Sequence, residues 1–438
     1  MTRFRFSRLI NLFFLLLFQN GIAQNQKDLQ LVRQSIKALT DVMIYDITSP
    51  PVASRNYVYS LVAFYEAVSP CDKKYTSYAG QLNGLELLPK IIPDVQYDWL
   101  LAGMTAFYKT GYAFVFSKEQ FQQAWDSIKI TLDKKQVLPD VRERSVKFGE
   151  AVAAHIILWA KKDGLAKTRT MPRFTPGKQA GNWQQTGPDY MEAVEPYWNT
   201  IRTMIISKAD EFLLPAPALY KSEKFLAECK EVYEAGKNIT IEQKAFTNFW
   251  DCNPYATQTV GHLMYSVKKI SPAGHWIGIT GIVVQQKKQS LVEAMHAYSL
   301  VAVAIFDAII CCWDQKYRSN YIRPVTAIQQ LISPDWEPVL QTPPFPEYPS
   351  GHSVISTAAA TILTHLYGDN FHYVDDVEMD YGLPARSFNS FLDAASEAAI
   401  SRMYGGIHFS ESLENGKLLG KNVAHKVLEK ELVEMGKK

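Results

Sequence analysis

The stretch from Leu291 to Trp313 is the most apolar long segment of the chain and sets the strongest limit on its fold. It is long enough to cross a membrane, but Glu293, His296 and Asp307 interrupt it. No comparable segment in the rest of the mature chain offers a partner span, so we interpret it as a buried central helix. With 438 residues, of which 47% are hydrophobic, the chain can bury one large core or two smaller ones.

Apolar residues recur at three- and four-residue steps along much of the remaining chain, and this spacing is typical of amphipathic helices. The clearest segments are Leu29–Tyr45, Ser60–Val68, Asp98–Tyr112, Ser117–Leu132 and Asp140–Lys161. Alternation with a period of two is scarce, so the pattern predicts an all-α fold. Thr170–Pro196 is rich in proline and glycine and is either a linker or a loop that lines a cleft. Gly368–Pro384 is acidic and turn-rich, as expected of a surface loop.

The N-terminus has the pattern of a secretory signal. Three arginines within the first eight residues precede an apolar run from Leu9 to Phe18, and small residues then suit cleavage before Gln24. The run is about half of the ~20 residues that a spanning helix needs, so we expect removal and a secreted or periplasmic protein without a transmembrane anchor. The predicted divisions are a signal peptide (1–23), an N-terminal helical region (24–180) and a second helical domain (181–438).

Charge and cysteine content exclude several kinds of site. Lys plus Arg number 46 and Asp plus Glu number 44, so the chain lacks the basic field typical of nucleic-acid binders and any anion site must be a local cluster. The five cysteines are an odd number, so at least one is free or pairs between chains. None has the spacing of a zinc or redox motif.

Three short motifs lie in order within the last third of the chain. The first is Lys316, six residues, then Arg323-Pro324. The second is Pro349-Ser350-Gly351-His352, and the third is Ser401-Arg402, five residues, then His408. Lys316 and Arg323 are about two helical turns apart and could share one face, either as a solvated basic face or around an anion.

The second and third motifs place polar groups at predicted helix ends. Ser350 and Gly351 suit a helix N-terminus, where free N–H groups and the helix dipole attract an oxyanion. Arg402 falls in the last turn of one predicted helix and His408 near the start of the next, so both could point into one cleft. A capped helix with an incidental histidine is the simpler alternative for either motif. Together, three cations, a serine hydroxyl and two histidines indicate a site for a tetrahedral anion, and the motifs contain no carboxylate of a divalent-cation site.

These three motifs match the signature of the superfamily of vanadium haloperoxidases and type 2 phosphatidic acid phosphatases. The resemblance, to the bacterial haloperoxidase-like branch, extends to Phe306-Asp307-Ala308 and to the residues from Pro343 to Tyr348. It is strong from Leu291 to Leu419 and weaker from about Gly181 to Leu291. It implies an all-α fold of two four-helix-bundle-like halves, with the oxyanion site in the C-terminal half.

The resemblance also implies roles for individual residues. His408 would bind vanadium directly in a haloperoxidase, or become a phosphohistidine in a phosphatase, and His352 would be the acid–base group. The residues that would hold the oxyanion oxygens are Lys316, Arg323, Ser350, Gly351 and Arg402. The cofactor would be vanadate, with none required by a phosphatase.

Two further positions bear on the choice between these activities. Trp313 and Phe345 match aromatic residues on the halide side of chloroperoxidase-like sites. The alternative is that both only pack against neighbouring side chains. Four residues after the metal-binding histidine the family usually has Asp, whereas this chain has Ser412, which is expected to weaken the orientation of His408.

Three functions are compatible with this pattern. The leading hypothesis is an exported vanadate-dependent haloperoxidase, an oxidoreductase that oxidises halide with hydrogen peroxide at a vanadate bound by His408. The alternative is a soluble acid phosphatase that hydrolyses a phosphomonoester through a phosphohistidine at the same residue. A non-catalytic oxyanion-binding protein is the third. The expected partners are small molecules, and no nucleic acid.

Overall fold

The structure, a computed structural model, describes the backbone of residues 3–430 and the side chains of residues 24–258 and 261–430. The predicted signal peptide, residues 1–23, lies outside the described side chains and stays a prediction. The α-helices among the described residues are α1 (Arg3–Tyr45), α2 (Pro50–Val68), α3 (Trp99–Phe114), α4 (Lys118–Asp133), α5 (Pro139–Ala160), α6 (Leu165–Thr168), α7 (Glu223–Lys237), α8 (Ile241–Phe249), α9 (Pro272–Gln286), α10 (Leu291–Ser319), α11 (Pro324–Leu331), α12 (Gly351–Tyr367), α13 (Phe391–Tyr404) and α14 (Ser410–Glu429).

Strands make only a small contribution. Two antiparallel pairs occur among the described residues, and they are β1 (Thr257–Val260) with β2 (Leu263–Ser266), and β3 (Tyr373–Asp375) with β4 (Arg386–Phe388). The predicted all-α class is confirmed. The interpretation of 368–384 as a surface loop was wrong in part, because β3 lies there and because Asp375 and Glu378 are buried. Acidic composition alone gave no sign that these carboxylates had internal partners.

Helix α10 is the centre of the molecule. It begins with a capping box, in which Ser290 and Glu293 satisfy each other's backbone N–H groups, and it ends where Asn320 adopts a left-handed conformation. It packs on α2 on one side and on α12 and α14 on the other. Helices α3 and α5 complete the group around α2, and α13 completes the group around α12. The two groups of helices therefore share α10, which explains its apolar residues on every face.

One continuous hydrophobic core extends through both groups, from Leu29 in α1 to Val427 in α14. Helix α10 is the one described helix with the length and hydropathy of a membrane span, and its most apolar stretch is entirely buried within the rest of the chain. The interpretation of Leu291–Trp313 as a buried central helix is confirmed. The predicted domain boundaries at residues 23 and 180 stay predictions.

The proline-rich segment at 170–196 contains no α-helix and runs beside the last turns of α10. The carbonyl of Val194 accepts hydrogen bonds from Trp313 Nε1, at 3.2 Å, and from the Tyr317 hydroxyl, at 2.6 Å. Trp183 is fully buried, and its backbone N–H donates to the Asn320 carbonyl. The segment is therefore packed against the end of α10 and is not a free linker.

Candidate functional site

The three motifs meet between the C-terminal end of α10 and the N-terminal ends of α12 and α14. Helix α12 packs on α10, α13 and α14, so its N-terminus lies among the loops that carry the other motif residues. The motif side chains Lys316, Arg323, Ser350, Arg402 and His408 are all buried. Their convergence was predicted from the sequence, although the way in which two of them meet was not.

Lys316 and Arg323 do not share a helical face. Helix α10 ends at Ser319, and Arg323 occupies the N-cap position of α11. The two cations instead lie over the same ring, with Lys316 Nζ and Arg323 Cζ each 5.1 Å from the centroid of Phe345. Helix α10 ends at the left-handed residue Asn320 between them, so the seven-residue spacing includes a loop and not two helical turns.

Backbone carbonyls hold the ammonium group of Lys316. Its Nζ donates to the carbonyls of Pro346, Glu347 and Pro349 at 3.0, 2.9 and 2.6 Å. Burial lowers the pKa of Lys316 to about 7, and the charge of Arg323 acts in the same direction. These hydrogen bonds tie Lys316 to the loop that leads into α12, and its ammonium group places positive charge beside that loop.

The two buried arginines each keep donors without a partner. Arg323 donates to the carbonyls of Phe345, at 2.9 Å, and Ile407, at 2.8 Å, but its Nη2 has no hydrogen-bond partner. Arg402 donates to the Trp250 carbonyl, whereas its Nε and Nη2 have no hydrogen-bond partner, although Nη2 lies 3.8 Å from Asp251 Oδ1. Buried, unpaired guanidinium donors are costly, so an anion in front of them would be strongly favoured.

The N-terminus of α12 adds donors of a different kind. The Ser350 hydroxyl accepts the N–H of Ser353 as the cap, and the backbone N–H groups of Gly351 and His352 open the helix, where no intrahelical acceptor exists. A Cβ atom added to Gly351 would meet only Trp313 and Lys316, at 3.9 and 4.0 Å. The space in front of this helix end is therefore open to a ligand.

His408 is held by a carboxylate that the motifs did not reveal. Its Nδ1 lies 2.7 Å from Glu347 Oε1, which also accepts the N–H of Phe409 at 3.0 Å. The Ser412 hydroxyl is farther from the same Nδ1, at 3.5 Å. The motifs themselves contain no carboxylate, and the sequence did not predict that Glu347 approaches His408 across 61 residues of sequence. Its position within Pro346-Glu347-Tyr348, just before the second motif, was the only available signal.

This contact fixes the orientation of the His408 ring. With the proton on Nδ1 donated to Glu347, Nε2 keeps its lone pair, and it lies 3.3 Å from Arg323 Nη1. Burial lowers the pKa of His408 well below its usual value, and the charges of Arg323 and Lys316 lower it further. A neutral imidazole with an unprotonated Nε2 can act as a ligand or as a nucleophile.

His352 stands next to the second arginine. Its Nε2 lies 3.1 Å from Arg402 Nη1. Burial and the charge of Arg402 lower the pKa of His352 well below its usual value, so the ring is neutral in this arrangement. An anion bound nearby would oppose both effects, and His352 could then exchange a proton with a ligand.

An apolar wall completes the pocket. Trp313 and Phe345, with ring centroids 5.1 Å apart, line the same pocket as Gly351, His352 and His408. The predicted site residues are thus brought together around one space, with aromatic rings on one side and cationic or helix-end donors on the other. Such an arrangement can bind a tetrahedral oxyanion on its cationic side and hold a small, weakly hydrated ion or molecule next to it on its aromatic side.

The chain has clear similarity to known proteins. Residues 296–434 match the family model for the VCPO second helical-bundle domain. A bacterial vanadium-dependent iodoperoxidase of known structure is 43% identical, with a TM-score of 0.87, and the match covers 94% of this chain and 98% of that one. A bacterial vanadium-dependent chloroperoxidase in its holo form is 16% identical, with a TM-score of 0.67 and coverage of 90% and 92%. No curated protein sequence matches the chain.

Proposed function

The chain belongs to the vanadium haloperoxidase superfamily, and from that premise we propose that it is an exported, vanadate-dependent haloperoxidase that oxidises halide with hydrogen peroxide. The observation that carries the proposal is the 43% identity, over nearly all of both chains, to a bacterial vanadium-dependent iodoperoxidase. We accordingly propose iodide as the first halide to test.

The donor set fits vanadate. Arg323 Nη2, together with Nε and Nη2 of Arg402, is buried without a hydrogen-bond partner, and the helix end at Gly351 faces open space. Vanadate offers several anionic oxygens to such donors, which would remove the cost of leaving them unpaired. Lys316 and the Ser350 hydroxyl complete the set that would hold it, Lys316 chiefly through its charge.

His408 would bind vanadium directly. Glu347 holds the Nδ1 proton, so the lone pair of Nε2 is kept available for coordination. Bound vanadate supplies an electron-poor centre that activates hydrogen peroxide toward a halide. His352 would take up and return the proton of the incoming peroxide, because its neutral ring stands beside Arg402 at the same pocket. Trp313 and Phe345 would favour a large, polarisable halide and exclude water from that side.

A paired assay on one vanadate-free preparation tests this function. We would first follow the hydrolysis of a chromogenic phosphomonoester, then add vanadate, hydrogen peroxide and iodide or bromide, and follow halide oxidation. Oxidation that depends on vanadate and is lost in His408→Ala is the expected result. His425→Ala, at an exposed histidine of α14, is the matched control and should keep full activity.

Two other results would contradict the proposal. Hydrolysis with a trapped phosphohistidine, inhibited by vanadate and unaccompanied by halide oxidation, would make the protein a soluble acid phosphatase. Binding of vanadate without turnover of any phosphoester or halide would make it an oxyanion-binding protein. Export is tested separately, because the secreted or periplasmic protein should begin at Gln24 when its N-terminus is sequenced.

A further inference from the structure

A second cluster of chemically active side chains adjoins the oxyanion pocket. It consists of Cys252, His275 and Glu378, all of them buried. Cys252 follows α8 and also lines the oxyanion pocket, His275 lies in the first turns of α9, and Glu378 belongs to the short helical segment Val377–Tyr381 between β3 and β4. Three segments that are distant in sequence thus bring one sulfur, one nitrogen and one oxygen together.

The distances within this cluster match those between ligands of one metal ion. Cys252 Sγ is 3.6 Å from His275 Nδ1 and 3.8 Å from Glu378 Oε1, and Nδ1 is 3.1 Å from Oε1. A triangle with these sides has a point about 2 Å from all three corners. Zinc bound by Cys, His and carboxylate ligands has bond lengths of about 2.0–2.3 Å. Only a small adjustment at the sulfur is needed.

A fourth residue orients the imidazole for this role. Asp375 Oδ2 lies 2.8 Å from His275 Nε2, and its other oxygen accepts the N–H of Val377. A carboxylate on the far nitrogen of a histidine places the proton there and leaves the near nitrogen with its lone pair, as is usual for metal-bound histidines. The ring is further fixed by Trp250, which stacks on it with centroids 4.6 Å apart.

A metal-free hydrogen-bond network is the alternative interpretation of this geometry. A protonated His275 between Glu378 and Asp375 would explain two of the contacts, at 3.1 and 2.8 Å. The Cys252 thiol would join that network through sulfur hydrogen bonds of 3.6 and 3.8 Å, whereas one metal ion would bind all three groups at a single point. A thiolate, an imidazole and a carboxylate are together the ligand types that zinc prefers.

We propose that Cys252, His275 and Glu378 bind one zinc ion, with water as the fourth ligand, and that this ion clamps three segments beside the oxyanion pocket. The clamp acts next to Arg402, because the Trp250 carbonyl accepts its Nη1 proton and Asp251 Oδ1 lies 3.8 Å from its Nη2. Cys252 follows both residues directly. Zinc binding therefore holds the segment that positions one of the cations of the site.

Metal analysis of the untagged full-length protein tests this proposal. After expression with added zinc and gel filtration, we expect about one zinc per chain by plasma mass spectrometry. Cys252→Ala and Glu378→Gln should each lose most of it. Cys71→Ala, which removes an exposed thiol, is the matched control and should keep it. Cobalt substitution should give a thiolate-to-metal absorption band in the near ultraviolet that Cys252→Ala lacks and Cys71→Ala retains.

Two outcomes would overturn the proposal. One is a wild-type protein without zinc that also gives no thiolate band with cobalt, which would leave a hydrogen-bonded cluster. The other is a zinc content unchanged in Cys252→Ala. If that variant does not fold by circular dichroism, titration of chelator-treated wild-type protein with zinc decides the question. Neither readout depends on vanadate or on halide oxidation, so failure here is distinguishable from failure of the proposed function.

Discussion

Backbone carbonyls, rather than acidic side chains, position most of the cations of the site. Lys316 makes three such hydrogen bonds and Arg323 makes two. Carbonyl groups orient a cation without cancelling its charge, whereas a carboxylate would compete with the incoming anion. Glu347, the carboxylate that contacts His408, does so at Nδ1, on the opposite side of the ring from Nε2.

Glu347→Gln should weaken the binding of vanadate by roughly 10–100-fold, the usual effect of losing the hydrogen-bond partner of a metal-binding histidine. An amide can donate to Nδ1 as well as accept from it, so the proton and lone pair of His408 would no longer be fixed. Equilibrium dialysis with vanadium analysis measures the affinity, and circular dichroism checks the fold.

Ser412→Ala is the matched control for this change. The Ser412 hydroxyl is 3.5 Å from His408 Nδ1, so its removal should alter the vanadate affinity by less than about 3-fold. A larger loss in Ser412→Ala than in Glu347→Gln would mean that the serine, and not the glutamate, replaces the aspartate usual in this family.

For individual residues, motif spacing predicted which ones form the site but not which atoms they contact. Ser350, Arg402 and His408 lie at helix ends, where capping patterns are local and can be read from sequence. The contact of Glu347 with His408 depends on how α12 and α14 pack, and no local pattern encodes it. The cluster of Cys252, His275 and Glu378 was missed for the same reason, since its members are spread over 126 residues.

At the scale of elements, close approach between α12 and α14 controls the position of the oxyanion-binding helix end. Gly416 and Gly420 lie one turn apart on α14 and face α12. A Cβ atom at Gly416 would lie 2.7 Å from Ser353 Cβ and 2.9 Å from the Ser350 carbonyl. Neither neighbour is the end of a flexible side chain, so any larger residue must push the N-terminus of α12 away.

Gly416→Ala should therefore lower the free energy of unfolding by roughly 1–3 kcal/mol, as overpacking of a tight interface does, and weaken vanadate binding about 10-fold. Urea unfolding and equilibrium dialysis measure the two effects. Gly236→Ala in α7 is the control, because a Cβ atom there would meet only Trp336, at an ordinary contact distance of 3.7 Å. This variant should stabilise the helix by up to ~1 kcal/mol. Equal stability of both variants would contradict the account of this interface.

Asp307 joins α10 to the loop before α7. Its carboxylate accepts the backbone N–H groups of Met204, Ile205 and Ile206 at 2.6, 2.8 and 3.0 Å. Asp307→Ala would leave three buried donors unpaired and should cost roughly 3–5 kcal/mol in urea unfolding. Asp307→Asn keeps one acceptor oxygen, so its free energy of unfolding should lie between those of the wild type and Asp307→Ala. A cost below about 1 kcal/mol for the alanine variant would show that the loop finds other acceptors.

Helix positions were predictable because amphipathic periodicity and caps are properties of single segments. The predicted ends agree with α3, α4, α5 and α10 to within a few residues, apart from the C-terminal end of α10, which extends from Trp313 to Ser319. The short strands were not predictable. Strands β3 and β4 have three residues each, too few to show a period of two.

For the whole molecule, the shared core couples stability to buried ionisable groups. Burial raises the pKa of Glu66 to about 7, although the N–H of Tyr78 donates to it at 2.6 Å. A carboxyl group with a higher pKa in the folded state binds its proton more tightly there. Its contribution to stability is therefore fully present below about pH 4.5 and is lost as the pH rises through 7.

Glu66→Gln should consequently be more stable than the wild type at pH 8, by up to roughly 3 kcal/mol, and close to it at pH 4.5. The free energy of unfolding of both proteins is measured in urea at every half pH unit. The difference between the two values isolates the titration of Glu66 from that of the other groups. A difference that does not change between pH 4.5 and 8 would contradict the raised pKa.

Total hydropathy of α10 could not by itself distinguish a membrane span from a core helix. The polar residues Glu293, His296 and Asp307 made that distinction, because each of them has a role inside the protein. Glu293 caps the helix, His296 Nδ1 lies 2.9 Å from the Tyr78 hydroxyl, and Asp307 holds the loop at 204–206. The number of helices around α10 was predictable only roughly, since it depends on packing between distant segments.

The carbonyls that hold Lys316 and Arg323 have a consequence for how the protein meets its surroundings. Because backbone carbonyls position these cations, we expect an anion to enter by diffusion and exchange, without refolding of the chain. Phosphate and vanadate have the same shape, so we expect them to compete for this site, with their ratio in the surrounding water deciding which one occupies it. We expect a chain of fixed sequence to hold phosphate where vanadium is scarce and vanadate where it is plentiful, with the composition of the water acting as the switch.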